Sequence, residues 1–169
     1  MAPASGRGAK SKRSGSLEIS DLITPDSVVA KLKASSKKQA LQELSQRAAK
    51  ITRLPERRIF EGLIERERLG TTGVGQGIAI PHAKFPELKR LYALFARLEQ
   101  PIDFDAVDER PVDLIFVLLA PGDAGAEHLK ALALVSRLLR NQTVCAKLRG
   151  SDDPAALYAL LTEPVVSAA

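Results

Sequence analysis

The stretch VDLIFVLLAP, residues 112–121, limits what this chain can fold into more than any other segment. It is apolar at every position from Leu114 to Ala120 and is followed by a Pro-Gly pair. A run of this kind is typical of a central strand covered on both faces, and helices must supply that cover. With 169 residues the chain has room for one domain with a sizeable core. We therefore predict a single layered α/β domain, with a mixed β-sheet of about four to five strands flanked by helices.

Apolar spacing and capping residues predict the other elements. A capping box over 36–39 begins a helix over 37–51, and Pro55 begins a second helix that ends at Gly70. Two more helices are predicted over 124–141 and from Asp153-Pro154 through Leu161, together with an edge strand over 28–32 and strands over 77–80 and 91–98. The single cysteine, Cys145, lies in a helical apolar pattern, so we expect it to pack in the core. One cysteine allows neither an intrachain disulfide nor a thiolate metal cluster.

The charge distribution argues against a nucleic-acid partner. The formal net charge is +5, but four of those charges belong to Arg7, Lys10, Lys12 and Arg13, which leaves about +1 for the rest of the chain. Aromatic residues make up only 4% of the sequence, so it lacks the stacking platforms that single-strand binders use. We expect no nucleic-acid binding.

Composition also divides the chain. Residues 1–16 are rich in Gly, Ser, Ala and basic side chains, so we predict a disordered basic tail there, a domain over 17–162 and a flexible C-terminus over 163–169. The tail has no apolar core of the kind a secretory signal needs, and no later apolar run approaches the length of a membrane span. We therefore expect a cytoplasmic protein without membrane insertion.

The stretch GVGQGIAIPHAK, residues 73–84, is the strongest candidate for a functional motif. Its glycines, Gly73, Gly75 and Gly77, suggest a phosphate cradle at first sight. The dinucleotide fingerprint, however, needs a strand before the glycines and a helix after them, and here the order is reversed. No Gly-Lys-Ser/Thr follows either, so a P-loop is also excluded. What the glycines can do is let the backbone approach a neighbour or a ligand closely, and they lead to Pro81-His82 with little bulk around the imidazole.

The chain has only two histidines, and the predicted topology places both near one end of the sheet. His82 ends the predicted strand, while His128 follows the central strand and falls in the first turn of the next helix, where the dipole favours an anion. Each also has an ordinary interpretation. His82 could be a hydrogen-bonded structural residue, and His128 an exposed helix residue.

A possible anion-binding arginine lies just upstream in the run Glu65-Arg66-Glu67-Arg68. Positions two apart point to roughly opposite sides of a helix, so at most one of the two arginines can serve the same site. Spacing alone does not choose between them. The alternative is a solvated charged face with intrahelical pairs.

These residues carry a family resemblance. The stretch RERLGTTGVGQGIAIPHAK, with the later PIDFDAVDERPVDLIFVLLAP and EHLKAL, resembles the IIA component of the bacterial phosphotransferase system, fructose/mannitol class, most closely its nitrogen-regulatory branch. The resemblance runs from about Leu17 to Thr162. It departs at two places, since family members usually have Gly where this chain has Ala83 and Asn where it has Gln76.

The resemblance implies the IIA type-2 fold and a phosphohistidine protein. A phosphorylated HPr-type carrier of the nitrogen branch would transfer its phosphoryl group to His82, Arg66 and His128 would stabilise it, and Gly73, Gly75 and Gly77 would shape the site. No cofactor or metal is implied. Regulatory targets would include potassium-transport and sensor-kinase proteins, which bind according to the phosphorylation state.

Two other hypotheses remain open. A sugar-transport IIA component would share the site but pass its phosphoryl group to a IIB domain. A non-catalytic anion-sensing module would keep the fold without the chemistry, although the presence of His82, Arg66 and His128 together argues against it.

Overall fold

The computed structural model describes residues 16–163. The predicted basic tail and flexible C-terminus lie outside this range, apart from Ser16 and Glu163. None of the helices within the described range has both the length and the apolarity needed to cross a membrane.

The described chain contains five α-helices and six strand segments. In chain order they are β1 (Val28–Leu32), α1 (Lys37–Thr52), α2 (Glu56–Leu69), β2 (Gly73–Gly75), β3 (Ile78–Ala79), β4 (His82–Phe85), β5 (Tyr92–Ile102), β6 (Val112–Pro121), α3 (Gly125–Arg140), α4 (Gln142–Arg149) and α5 (Pro154–Thr162). The predicted long helix over 124–141 is confirmed, and Asn141 ends it because its side chain caps the amides that begin α4.

Capping residues set the helix ends much as the sequence indicates. Ser36 accepts a hydrogen bond from the amide of Gln39, as expected for the first residue of a capping box. The Gln39 side chain, however, accepts from the amide and hydroxyl of Ser35 and not from the amide of Ser36. The reciprocal half of the box is therefore displaced by one residue.

The sheet is mixed, as predicted. The strands lie in the order β1-β5-β6-β3-β2, and β4 also pairs with β6. β1 is parallel to β5, β5 is antiparallel to β6, β3 and β4 are parallel to β6, and β2 is antiparallel to β3. β3 and β4 continue one register along the same edge of β6, so the six segments occupy five strand positions.

Strand β6 is buried on both faces, which confirms the prediction made from its unbroken apolar run. Phe116 and Leu118 face a core that includes buried residues of α3, α4 and α5, and Cys145 packs in this core. Ile115 and Val117 face a second core built with α1 and α2. The two helical layers therefore cover opposite faces of one sheet.

The segment around His82 differs from the prediction. A strand over 77–80 with His82 at its end was expected, but β3 covers only Ile78–Ala79 and His82 is the first residue of β4. Ile80 and Pro81 interrupt the pairing because proline has no amide hydrogen to donate to the ladder. His82 therefore lies immediately after a break in a strand, and its backbone is fixed by pairing with Leu118.

Candidate active site

The imidazole of His82 is oriented by a backbone hydrogen bond. Its Nδ1 lies 2.9 Å from the carbonyl oxygen of Ile80. A carbonyl can only accept, so Nδ1 must carry the proton, and Nε2 then has the free lone pair. The break between β3 and β4 creates this arrangement, because the Ile80 carbonyl points to the ring two residues further along the chain. The ring is partly exposed.

Arg66 approaches that lone pair from α2. Its Nε donates to His82 Nε2 at 3.3 Å, and its Nη1 donates to the carbonyl of Gly70 at 2.8 Å. Arg68 points elsewhere and pairs with Glu65 on an exposed face of the helix, at 3.0 Å. The structure thus brings Arg66 to the histidine and leaves Arg68 in the solvated pair that the alternative interpretation assigned to the whole run.

His128 completes the cluster from the first turns of α3. Its side chain is buried, with 6% of its surface exposed, so the interpretation as an exposed helix residue is wrong. The rings of His82 and His128 meet edge to face, with centroids 5.4 Å apart and an interplanar angle of 72°. Among the described residues, His128 Nε2 has no hydrogen-bond partner, and buried polar atoms normally have one. This nitrogen therefore has a hydrogen-bonding position that no described residue fills.

Both histidines are biased toward the neutral form. Burial lowers the pKa of His82, and the positive charge of Arg66 lowers it further, while the Ile80 carbonyl and the Glu67 carboxylate act in the opposite direction. Burial also lowers the pKa of His128, with smaller contributions of the same sign from His82 and Lys84. At neutral pH the His82 ring is therefore uncharged and able to act as a nucleophile.

An open cleft surrounds the His82 ring between α2, β4 and α3. Its rim carries two exposed leucines, Leu69 and Leu129, whose side chains are 82% and 68% exposed. Lys84 lies on the same surface. Exposed apolar side chains around a polar centre are typical of a surface that contacts another protein.

The three motif glycines contact other parts of the chain. Gly73 packs so closely on Ala106 that a Cβ would lie 2.9 Å from its backbone, and Gly75, with φ +107°, lies beside Asp108. Gly77 (φ +81°) lies beside Arg149. Among the described residues that line the cleft, none is a motif glycine. Close approach of the loop over 103–110 accounts for Gly73 and Gly75, and close approach of Arg149 and Asp113 accounts for Gly77.

The two departures from the family pattern have separate local explanations. Gln76 and Gly77 are the central residues of the β2–β3 hairpin, and both have positive φ, 60° and 81°. This is the requirement of a type I′ turn, in which Asn-Gly is favoured. Ala83 lies in regular strand pairing with Leu119, so a residue with a Cβ is accommodated there.

Glu67, which was not predicted to belong to the site, lies directly after Arg66 on α2. Its carboxylate is buried and accepts from the amide and hydroxyl of Thr72 and from Lys37. The sequence could have predicted that Glu67 is buried, because Ile59, Leu63 and Glu67 follow at intervals of four and share the buried stripe of α2. A charged residue on an apolar stripe indicates a buried partner.

No group of three or more potential metal-ligating side chains is found among residues 16–163. The arrangement is an imidazole nitrogen beside a guanidinium and a second imidazole ring, which suits an anionic group bound to His82.

Comparison with known proteins places the chain in a family. Residues 21–163 match the family described as the phosphoenolpyruvate-dependent sugar phosphotransferase system, EIIA 2. The chain belongs to this family of phosphotransferase IIA proteins.

Individual relatives point to one branch of the family. The chain is 54% identical to a nitrogen regulatory protein of Bradyrhizobium diazoefficiens over 153 residues, which are 90% of this chain and all of that relative. It is 41% identical to the nitrogen regulatory protein of Escherichia coli K12, with 87% and 91% of the two chains covered. The crystal structure of IIA-Ntr from Neisseria meningitidis superposes with a TM-score of 0.81 at 33% identity, covering 85% of this chain and 99% of that one. These relatives confirm the predicted similarity to the nitrogen-regulatory branch.

Proposed function

We propose that this protein is a phosphohistidine phosphocarrier of the nitrogen-related phosphotransferase system, and that His82 Nε2 accepts the phosphoryl group. One observation carries the proposal. The hydrogen bond from Nδ1 to the Ile80 carbonyl fixes the lone pair on Nε2, and Arg66 lies at hydrogen-bond distance from that same atom.

In the transfer step, the Nε2 lone pair attacks the phosphorus of the phosphorylated carrier in line with the bond that breaks. A new phosphorus–nitrogen bond forms on His82, and the bonding electron pair leaves with the atom that carried the phosphoryl group on the donor. The Nδ1 proton stays in its hydrogen bond with Ile80, so no base is required to activate the nucleophile.

Arg66 and His128 stabilise charge on the phosphoryl oxygens. The Arg66 guanidinium has further N–H groups beyond the two that bind within the protein, and it can turn from Nε2 to the incoming group. His128 offers Nε2, which has no partner of its own among the described residues. Its place near the start of α3 adds the favourable end of the helix dipole.

The donor we propose is a phosphorylated HPr-type carrier of the nitrogen branch. The cleft is open, and its rim carries Leu69 and Leu129, so a second protein can bring its own phosphorylated side chain to His82. Regulatory partners, such as potassium-transport or sensor-kinase proteins, would use the same surface.

Phosphorylation would then control binding through charge. It adds about two negative charges in the centre of the cleft surface. A partner that covers this surface with apolar or acidic groups is disfavoured, and one that offers arginines gains. We expect affinity for at least one regulatory partner to change about tenfold or more, a coupling of roughly 1.4 kcal/mol.

The test is incubation with phosphorylated general carriers, followed by intact mass measurement. We expect a gain of one phosphoryl group that is acid-labile and base-stable, and no gain in a folded His82→Ala variant. Full labelling of that variant, or an acid-stable label, would refute the proposal. Passage of the group to a IIB domain, with no partner distinguishing the two forms, would support the sugar-transport function instead.

A further inference from the structure

The carboxylate of Glu67 has an unusual position for an acidic side chain, since it is only 9% exposed on the apolar stripe of α2. Three donors satisfy it. Lys37 Nζ lies 2.9 Å from Oε1, the Thr72 amide donates to Oε1 at 3.1 Å, and the Thr72 hydroxyl donates to Oε2. Thr72 is itself buried, so the carboxylate fixes the segment that follows α2.

A continuous series of hydrogen bonds leads from Thr72 to the imidazole of His82. The Thr72 carbonyl accepts from the Ile80 amide at 3.0 Å, and the Ile80 carbonyl accepts from His82 Nδ1 at 2.9 Å. Glu67 therefore connects to the histidine ring through Thr72, which precedes β2, and Ile80, which follows β3. Each bond limits where the next carbonyl can point.

The same segment also holds Arg66. Gly70, whose carbonyl accepts from Arg66 Nη1, lies between Glu67 and Thr72 in the chain. The tie between Glu67 and Thr72 thus closes a short loop that presents this carbonyl to the guanidinium. The Glu67 carboxylate is thus linked to the partners of both nitrogens of the His82 ring. It is linked to the Nδ1 partner, Ile80, through Thr72, and to the Nε2 partner, Arg66, through the segment that contains Gly70.

We propose that Glu67 is a positioning residue for phosphoryl transfer, which holds His82 in the Nδ1–H tautomer with Nε2 facing Arg66. This inference rests on the proposed function of His82. Glu67 does not touch the phosphoryl group, and its effect comes from the reach of its side chain to Thr72, not from its charge.

Two substitutions separate reach from charge. Glu67→Asp keeps the charge but withdraws the carboxylate by one methylene, about 1.5 Å, which carries both Thr72 bonds beyond hydrogen-bond distance. Glu67→Gln keeps the reach, because its Oε1 still accepts from the Thr72 amide and its NH₂ can donate to the Thr72 hydroxyl. Glu65→Asp is the matched control on the exposed face of the same helix, where the side chain is 72% exposed.

The first measurement is the His82 tautomer in the unphosphorylated protein, read from the ¹⁵N shifts of its ring. We expect the wild type, Glu67→Gln and Glu65→Asp to hold the Nδ1–H form, and Glu67→Asp to populate both tautomers. The second measurement is single-turnover phosphoryl uptake, which we expect Glu67→Asp to slow about tenfold and Glu67→Gln by less than threefold. Thr72→Val removes only the hydroxyl donor and leaves the side chain nearly the same shape, and we expect it to slow uptake several-fold. This variant replaces Glu67→Asp in both measurements if Glu67→Asp does not fold.

A Glu67→Asp variant with the wild-type tautomer and rate would overturn the proposal. A Glu67→Gln variant that loses the Nδ1–H tautomer and the uptake rate as severely as Glu67→Asp would also overturn the proposal, since charge would then be the decisive property. The tautomer is measured without any donor. If the wild type accepts no phosphoryl group, the proposed function fails, while the ring shifts still decide whether Glu67 positions His82.

Discussion

Replacement of Arg66 by alanine is expected to slow phosphoryl transfer about 100-fold without unfolding the protein. The guanidinium is the one cation among the described residues with a hydrogen bond to His82 Nε2, at 3.3 Å, and it is kept there by the Gly70 carbonyl at 2.8 Å. Removing a preorganised donor of this kind from a site of developing negative charge costs about 10²-fold or more in rate, or at least about 2.7 kcal/mol.

The effect on stability should be far smaller. Arg66 is partly exposed, and its described hydrogen bonds go to the site and to one carbonyl at the end of α2, so we expect a loss of less than about 1 kcal/mol in the free energy of unfolding. The assay is single-turnover transfer from a phosphorylated carrier at saturating donor. Denaturant unfolding of the same variant provides the comparison with stability.

Two further variants make the result specific. Arg68→Ala removes an exposed pair with Glu65 from the same helix, and its transfer rate should stay within twofold of wild type. Arg66→Lys keeps the charge but loses the planar fork, so its rate should lie between those of wild type and Arg66→Ala. Equal slowing by Arg66→Ala and Arg68→Ala would show that general charge near the cleft, and not the contact to His82, assists transfer.

Three other predictions concern stability. Burial lowers the pKa of His82 and His128 in the folded chain, so the unfolded chain takes up protons first as the pH falls below about 6.5. Each histidine therefore lowers the free energy of unfolding by at most about 1.4 kcal/mol for every pH unit of acidification. Urea unfolding of wild type and a His82→Gln/His128→Gln variant at pH 7.5 and 5.5 checks this, and an equal pH dependence in both proteins would contradict it. Gly62→Ala should lower the free energy of unfolding by about 1–3 kcal/mol, because the new methyl group would lie 2.6 Å from the Phe85 ring; a stability equal to wild type would show that α2 shifts freely. Gln76→Asn should raise the free energy of unfolding by about 0.5 kcal/mol, since Asn tolerates the positive φ of the hairpin turn better than Gln does. A lower melting temperature than that of the wild type would contradict the turn assignment.

Burial patterns explain why much of the fold could be predicted from the sequence. The unbroken apolar run of β6 specified a strand covered on both faces, and Ser36 and Asp153 marked helix starts through local hydrogen bonds. These features depend on residues close together in the chain, so a sequence shows them directly. The pairing that makes β3 and β4 one interrupted strand depends on β6, more than thirty residues away, and the sequence contains no local mark of it.

The candidate site was predictable in its residue types and less so in its geometry. Pro81-His82 and the second histidine pointed to the cleft in which the two rings meet, but spacing did not choose between Arg66 and Arg68. The role of the glycines depends on Ala106 and Arg149, which approach them only in the folded chain. Glu67 was missed because it lies in a charged run, although its interval of four from Leu63 placed it on the buried stripe.

The most direct test of the central claim is the location of phosphorus on the ring of His82. Transfer from a phosphorylated carrier to ¹⁵N-histidine-labelled protein, followed by NMR of the two imidazoles, reports which nitrogen gains the phosphorus–nitrogen bond. The hydrogen bond from Nδ1 to Ile80 predicts phosphorus on Nε2 of His82, with the Nδ1 proton retained. Phosphorus on Nδ1, or on His128, would contradict the account.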